Sequence, residues 1–469
     1  MRVDEYTEYD GTGLGELLRD GEIGAHELAD AARAAIASVS QLNALAFPLF
    51  EEAIPYDETG PLAGVPFLMK DDGPFASGRP FTVGSRLLAD AGAVAERDSL
   101  VTARAREAGL AILGASATPE FCISFATESV LRGPTRNPWD PERGTGGSSG
   151  GSAALVAARA VPWAHASDGA GSIRVPSAAC GVVGFKPSRG RVPVGPQALE
   201  AGFGVTHHFA ITRTVRDVAA LLDALGGEAP GEKYRVPAPS EPYAGEVGRE
   251  SGPLRIAVSA TGWYDAAVSD EAAELARVVA AALERGDRVV EETAPGFRDD
   301  DILDAYVAVT RLGLAGAVAG VADLAEMEAA TRAFVLEARG TPLADAAAGF
   351  DAFNTVSRQA GAFFERYDLL VTPTVAREPL PHGTLGYDEP GHTGRSWMAA
   401  IFEYGPFTSA FNLGGQPAVS LPLGRTSGGL PLGVQLVAAQ GREDLLLRVA
   451  SELESRFPWA GRRPGIVAS

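Results

Sequence analysis

Apolar residues recur at helical spacing near the start of the chain, in Leu14, Leu17 and Leu18 and again in Leu28, Ala31, Ala35 and Ile36, which predicts helix over 12–53. A short apolar run at 64–69, bounded by Gly and Pro, reads as the first strand. A helix over 99–108 then leads into a strand at 110–113, as in a helix–strand layer. From 132 to 152 the chain is rich in Gly, Pro, Ser and Asn and predicts no regular structure. A helix at 152–159, an extended piece at 161–165 and a Gly-rich stretch at 180–186 follow. The pattern over 215–225 is an amphipathic helix, and the Pro/Glu/Gly-rich 228–253 reads as a surface linker. Strand 254–259, helix 270–284 and strand 288–292 form one strand–helix–strand unit, which implies parallel pairing through a right-handed crossover. Ala-rich helices fill 302–366. Buried strands are expected at 369–372, 418–421 and 432–436, and a closing helix at 441–453. Strands alternating with helices make this an α/β chain without internal repeats.

Composition narrows the partners. A formal charge of −20 without a cluster of Lys or Arg repels phosphate backbones and argues against nucleic acid. No uncharged run approaches bilayer-spanning length. The first residues carry acids where a secretory signal would carry a basic and then an apolar region, so a cytoplasmic location is expected. Cys122 and Cys180 sit in no metal-ligand spacing and supply no disulfide framework, and neither metal nor organic cofactor is implied. Lysine occurs only at 70, 186 and 233.

Two glycine-walled serines carry the chemistry. Gly144-Thr-Gly-Gly-Ser-Ser-Gly-Gly-Ser-Ala154 precedes Asp168-Gly-Ala-Gly-Ser-Ile-Arg174, and Lys70 lies upstream in Gly64-Val-Pro-Phe-Leu-Met-Lys-Asp71. A serine becomes a useful nucleophile when a base takes its proton and fixed donors receive the oxyanion. The backbone N–H groups of Gly169, Ala170, Gly171 and Ser172 can form such a nest. His26, His165, His207, His208, His382 and His392 belong to no motif that pairs them with a nucleophile and an acid, which leaves lysine as the base. Its pKa would have to fall by about 3 units from the ordinary value, within the range that burial produces.

These segments, with GSIRVPSAACGVVGFKPSRG and Pro134-Thr-Arg-Asn-Pro-Trp-Asp140, resemble the amidase signature family from about residue 10 to the C-terminus. The C-terminal Gly415-Gln-Pro-Ala-Val-Ser-Leu-Pro-Leu-Gly424 and Gly429-Leu-Pro-Leu-Gly-Val-Gln435 look most like the branch containing 6-aminohexanoate cyclic dimer hydrolases. The resemblance implies one domain over 1–469, with a signature core at about 60–200. Its fold would be one large mixed, mostly parallel twisted β-sheet covered on both faces by helices. It implies an amidohydrolase with Ser172 as nucleophile, Ser148, held by a cis peptide bond, as bridge, and Lys70 as base. The reaction splits a linear or cyclic carboxamide into an acid and an amine or ammonia through an acyl-serine. Ser149, Asp168 and Arg174 would support the site, with Asp168 and Arg174 as a structural ion pair and Arg174 opening a strand into the core. Phe121, Phe125 and Thr127 would line the substrate pocket. The expected partners are a small amide and a second copy of the chain, with no nucleic acid and no membrane.

Two departures from the family stand out. Ala170 places a methyl group in the oxyanion loop, where the family commonly has Gly. Asp72 would share a strand face with Lys70 and keep it charged unless the chain turns or Asp72 pairs elsewhere. Two alternative readings are the glutaminase component of a tRNA-dependent amidotransferase, against which Val175 stands, and a catalytically dead scaffold or phosphate-binding loop, against which the intact triad stands.

Overall fold

The computed structural model describes residues 1–73, 75–196 and 200–469. Its strands are β1 (Pro66–Lys70), β2 (Ala111–Ser116), β3 (Glu128–Ser129), β4 (Gly133–Pro134), β5 (Trp163–Asp168), β6 (Val183–Lys186), β7 (His207–Thr212), β8 (Arg255–Val258), β9 (Val289–Glu292), β10 (Leu369–Pro373), β11 (Ala418–Arg425) and β12 (Pro431–Ala438). Eight of them form one sheet in the order β5-β7-β6-β11-β12-β10-β8-β9. The pairs β5/β7, β7/β6, β6/β11, β11/β12 and β12/β10 are antiparallel, and only β10/β8 and β8/β9 are parallel. The sheet is therefore mixed, as expected, but mostly antiparallel rather than mostly parallel. The strand–helix–strand unit supplies one of the two parallel pairs, with its helix Asp270–Leu283 capped by Ser269.

Beside this sheet, β1 and β2 pair in parallel, with Lys70 opposite Ser116. Every residue of β1 is buried, so the run reads apolar on both faces and ends in a lysine with no exposure. The expected helix over 12–53 divides into Gly11–Arg19 and Ala25–Ser38. Beyond it the chain is irregular and runs along the open edge of β2, where the N–H groups of Ala46 and Phe50 donate to the carbonyls of Ala115 and Leu113. The edge strand thereby gains the partners that an unpaired edge lacks.

Helices Asp299–Ala317, Ala329–Gly340, Leu343–Phe364 and Gly394–Tyr404 build a second apolar cluster. It includes Phe125, Val175 and Tyr306 and packs against Ala170 on the oxyanion loop. Among the described residues, no helix is long and apolar enough to cross a membrane.

Candidate active site

Three segments converge on Lys70. Its Nζ lies 2.8 Å from the Ser148 hydroxyl and 2.9 Å from that of Ser167, and all three side chains are buried. Ser167 and His165 face Lys70 because residues of β5 alternate in direction, so 165 and 167 point one way and 168 the other. His165 accepts the Lys70 backbone N–H at Nδ1 (3.2 Å) and fixes the end of β1.

The Ser148 loop is shaped by close backbone approach. The Gly147–Ser148 peptide is cis. A Cβ on Gly147 would stand 2.7 Å from the Ser124 carbonyl oxygen, so only glycine fits there. Thr127 donates to the Gly146 carbonyl (2.9 Å) and accepts from the Gly150 N–H (3.2 Å), tying the two ends of the loop. The Thr127 hydroxyl is thereby tied into the scaffold of the loop. Phe125 is buried as well, with its ring 6.3 Å from that of Phe402. Phe121, only half-buried and with φ 49°, stays at the edge of this cluster.

Ser172 sits between β5 and the helix Arg174–Cys180. The segment after Arg174 is thus a helix and not the expected strand; Pro176 falls in its first turn, where an absent N–H costs nothing. The Ser149 N–H donates to the Ser172 carbonyl (3.2 Å), and its hydroxyl to the Ser167 carbonyl (3.2 Å), so Ser149 links the two serine loops. The carbonyls of Gly169, Ala170 and Gly171 are each bound, by the Tyr306 hydroxyl (2.9 Å), the Thr408 hydroxyl (2.6 Å) and the Val175 N–H (2.7 Å). The N–H groups of Ala170, Gly171 and Ser172 have no acceptor among the described residues, the condition an oxyanion nest needs. Gly171 has φ 148°, while Ala170 keeps a negative φ, so its methyl group leaves the nest intact.

The loop is held by Asp168. Its carboxylate accepts from Arg174 Nε (2.9 Å) and Nη2 (2.8 Å), from the Ile173 N–H (3.1 Å) and from Asn412 Nδ2 (2.8 Å). Burial would raise its pKa, but the Arg174 guanidinium outweighs burial and holds it far below the usual carboxylate range. Arg174 also donates to the Thr408 carbonyl and to Gln435. The two side chains form a fully buried ion pair. Lys186 is buried with its Nζ on the Pro187 carbonyl, and burial pushes its pKa well down.

Asp72, His165 and His208 bring potential ligand atoms within 4.8 Å of one another. Hydrogen bonding has already committed the lone pairs. Because His165 Nδ1 accepts from Lys70, its neutral ring carries the proton on Nε2 and donates it to His208 Nδ1, 3.1 Å away. The cluster is therefore a hydrogen-bonded chain with no free imidazole lone pair facing inward. Sequence reasoning missed His165, Ser167 and His208; the period-two alternation of β5 was the signal that could have found the first two.

A buried lysine, a cis-linked serine and a second serine at a glycine-rich turn lie together on this α/β framework, the components that a serine-type hydrolase requires. The amidase family matches residues 27–447, and the chain belongs to it. It is 38% identical over 477 residues to the 6-aminohexanoate-cyclic-dimer hydrolase of Paenarthrobacter ureafaciens, covering 98% of this chain and 97% of that one. A solved structure of 6-aminohexanoate cyclic dimer hydrolase superposes with a TM-score of 0.90 at 36% identity, covering 98% of this chain and 99% of the other. A glutamyl-tRNA(Gln) amidotransferase chain from Thermotoga maritima shares the fold less closely, with a TM-score of 0.75 at 25% identity over 100% and 98% of the two chains. The protein is a hydrolase of carbon–nitrogen bonds other than peptide bonds, as the sequence motifs lead one to expect.

Proposed function

We propose that this amidase opens small aliphatic amides, cyclic ones included, through an acyl-Ser172 intermediate, with Ser148 relaying the proton to Lys70. The observation that carries the reading is the 2.8 Å contact between Lys70 Nζ and the Ser148 hydroxyl, beside the loop of Ser172. On attack, the Ser172 oxygen bonds to the amide carbon and its proton passes to Ser148, whose own proton goes to the Lys70 amine. The carbonyl electron pair moves onto oxygen, facing the N–H groups of Ala170, Gly171 and Ser172. The relay then returns a proton to the leaving nitrogen, and water repeats the cycle on the ester. Ser149, Asp168 and Arg174 hold the loops in register.

Similarity over nearly the whole chain to cyclic dimer hydrolases supports a cyclic substrate. The aromatic and aliphatic cluster against Ala170 supports an uncharged aliphatic acyl chain. Two free cysteines, one of them wholly buried, fit the reducing cytoplasm. The test is hydrolysis of the 6-aminohexanoate cyclic dimer and of simple linear amides by wild type, Ser172→Ala and Lys70→Met. Ring opening that falls by about 10⁴-fold or more in both variants supports the reading. Undiminished turnover by Ser172→Ala removes it.

A further inference from the structure

Asp72 is an acid beside the triad that the mechanism above does not use. The chain bends at 71–73, directly after Lys70, which sends the two acids in different directions. Asp71 is satisfied, accepting the N–H and the hydroxyl of Thr82 at 2.9 and 2.6 Å. Asp72 is not. Its side chain is only 9% exposed, and its Oδ2 is buried without a hydrogen bond. A bare carboxylate in that position is costly unless a cation faces it.

The groups facing this carboxylate can be taken in turn. His165 on β5 is buried, and burial holds its pKa down at about 3. His208 on β7 is also pushed down, first by burial, and its Nδ1, 3.7 Å from Asp72, is already the acceptor for His165. Both imidazoles are uncharged near neutrality. Cys122, the remaining titratable neighbour of Lys70, has its thiol pushed up by burial. Lys70, once protonated, is therefore the cation that answers Asp72 among the described side chains, and the Ser167 hydroxyl, 2.9 Å from Lys70 Nζ, also hydrogen-bonds the Asp72 carboxylate and favours its ionised form. Burial is the largest influence and works against that ionisation; the His165 and His208 rings, Lys70 and the Ser167 hydrogen bond together outweigh it and hold the Asp72 pKa below its ordinary value.

We propose that Asp72 is a positioning residue for Lys70: its carboxylate is the fixed counter-charge for the ammonium that Lys70 becomes when Ser148 hands it a proton. This rests on the proton relay described above. When Ser148 hands over its proton, the Nζ lone pair forms the new N–H bond, and Asp72 faces the resulting positive charge. The two neutral imidazoles complete the arrangement by shielding the carboxylate from water without supplying a competing charge. The tension between Lys70 and Asp72 visible in the sequence becomes part of the device, because the carboxylate stabilises the product of proton transfer more than the neutral amine.

The three-lysine composition makes the test direct. Protein labelled with [ε-¹³C]lysine gives three side-chain signals, and the one lost in Lys70→Met is Lys70. In Asp72→Asn the Lys70 titration midpoint falls by about one pH unit or more, the shift an opposite charge at short range produces. The acid limb of kcat/KM moves down with it, and plateau kcat falls, whereas Asp72→Glu restores both in part. A Lys70 midpoint that stays put in Asp72→Asn overturns the inference, however far activity drops. Asp72→Ser supplies the same reading if the Asn variant does not fold. The titration is independent of turnover, so a failed triad assignment and a failed Asp72 assignment give different results.

Discussion

Asp168 and Asp72 flank the same pair of catalytic loops, and their surroundings are opposite. Asp168 is fully buried and saturated, with Arg174, Asn412 and backbone N–H groups on both oxygens. Asp72 is nearly as buried, and one oxygen has no hydrogen-bond partner. A saturated buried carboxylate is a fastener, because each donor fixes one piece of chain. A carboxylate oxygen without a donor fixes no piece of chain and is tolerated for the field it exerts. The difference shows which acid the fold needs and which the reaction uses.

The most drastic way to break the comparison is Asp168→Asn. It leaves the Arg174 guanidinium buried with no neutralising charge and should cost about 3–5 kcal/mol of stability. Chemical denaturation reads this directly. The same pair governs the response of the wild type to acid. Because the folded-state pKa of Asp168 is depressed, its contribution is complete above the unfolded carboxylate value and drains away as pH falls through the lower folded one. If Asp168→Asn unfolds no more easily than wild type at pH 7, the fastener reading is wrong.

A third buried acid sharpens the contrast, with an effect of intermediate size. Glu328 occupies the N-cap position of the helix Ala329–Gly340 without a side-chain capping bond; its Oε1 accepts the Val130 N–H (2.8 Å), while Oε2 has no partner among the described residues. Burial, and then the neighbouring Glu120, raise its pKa to about 8. Between the unfolded value near 4.5 and the folded value, the unfolded chain has lost this proton and the folded chain keeps it. Stability therefore falls as pH rises through that window, and the loss is complete above about 8. Glu328→Gln should remove a cost of roughly a few kcal/mol at pH 9 and almost none at pH 4.5. Equal melting temperatures for wild type and variant at pH 9 would refute it.

How far these roles were legible in the sequence follows from the distance over which each is enforced. The serine loops and Lys70 could be read because glycine spacing and an apolar run are local. Asp168 could be assigned to a structural pair with Arg174, six residues away. The pair's other anchors, Asn412 on both side chains and Thr408 and Gln435 on Arg174, lie more than 230 residues along the chain and follow no local pattern. The helix at Arg174 was hidden for a local reason: Val175 and Pro176 favour extended chain, and the Asp168 carboxylate overrides that by binding the N–H groups of Ile173 and Arg174. The helix Gly394–Tyr404 had a visible signal in the Thr393/Ser396 capping box ahead of Trp397, Ile401 and Phe402. The antiparallel majority of the sheet arises because β11 and β12 enter between β6 and β10, an insertion that no window of sequence reveals.

The smallest expected effect separates the two aspartates most cleanly. If Asp72 fastened anything, replacing it with Asn would destabilise the fold as Asp168→Asn does. Its Oδ2 holds no hydrogen bond, and Lys70, the basic side chain it answers among the described residues, keeps the Ser148 and Ser167 hydroxyls as partners in the variant. Removing the charge also removes its desolvation cost, which offsets much of the attraction lost. Asp72→Asn should therefore change unfolding free energy at pH 7 by no more than about 1 kcal/mol in either direction, while activity falls. A loss as large as that of Asp168→Asn would mean that Asp72 is a second fastener, and the division between the acid of the fold and the acid of the reaction would disappear.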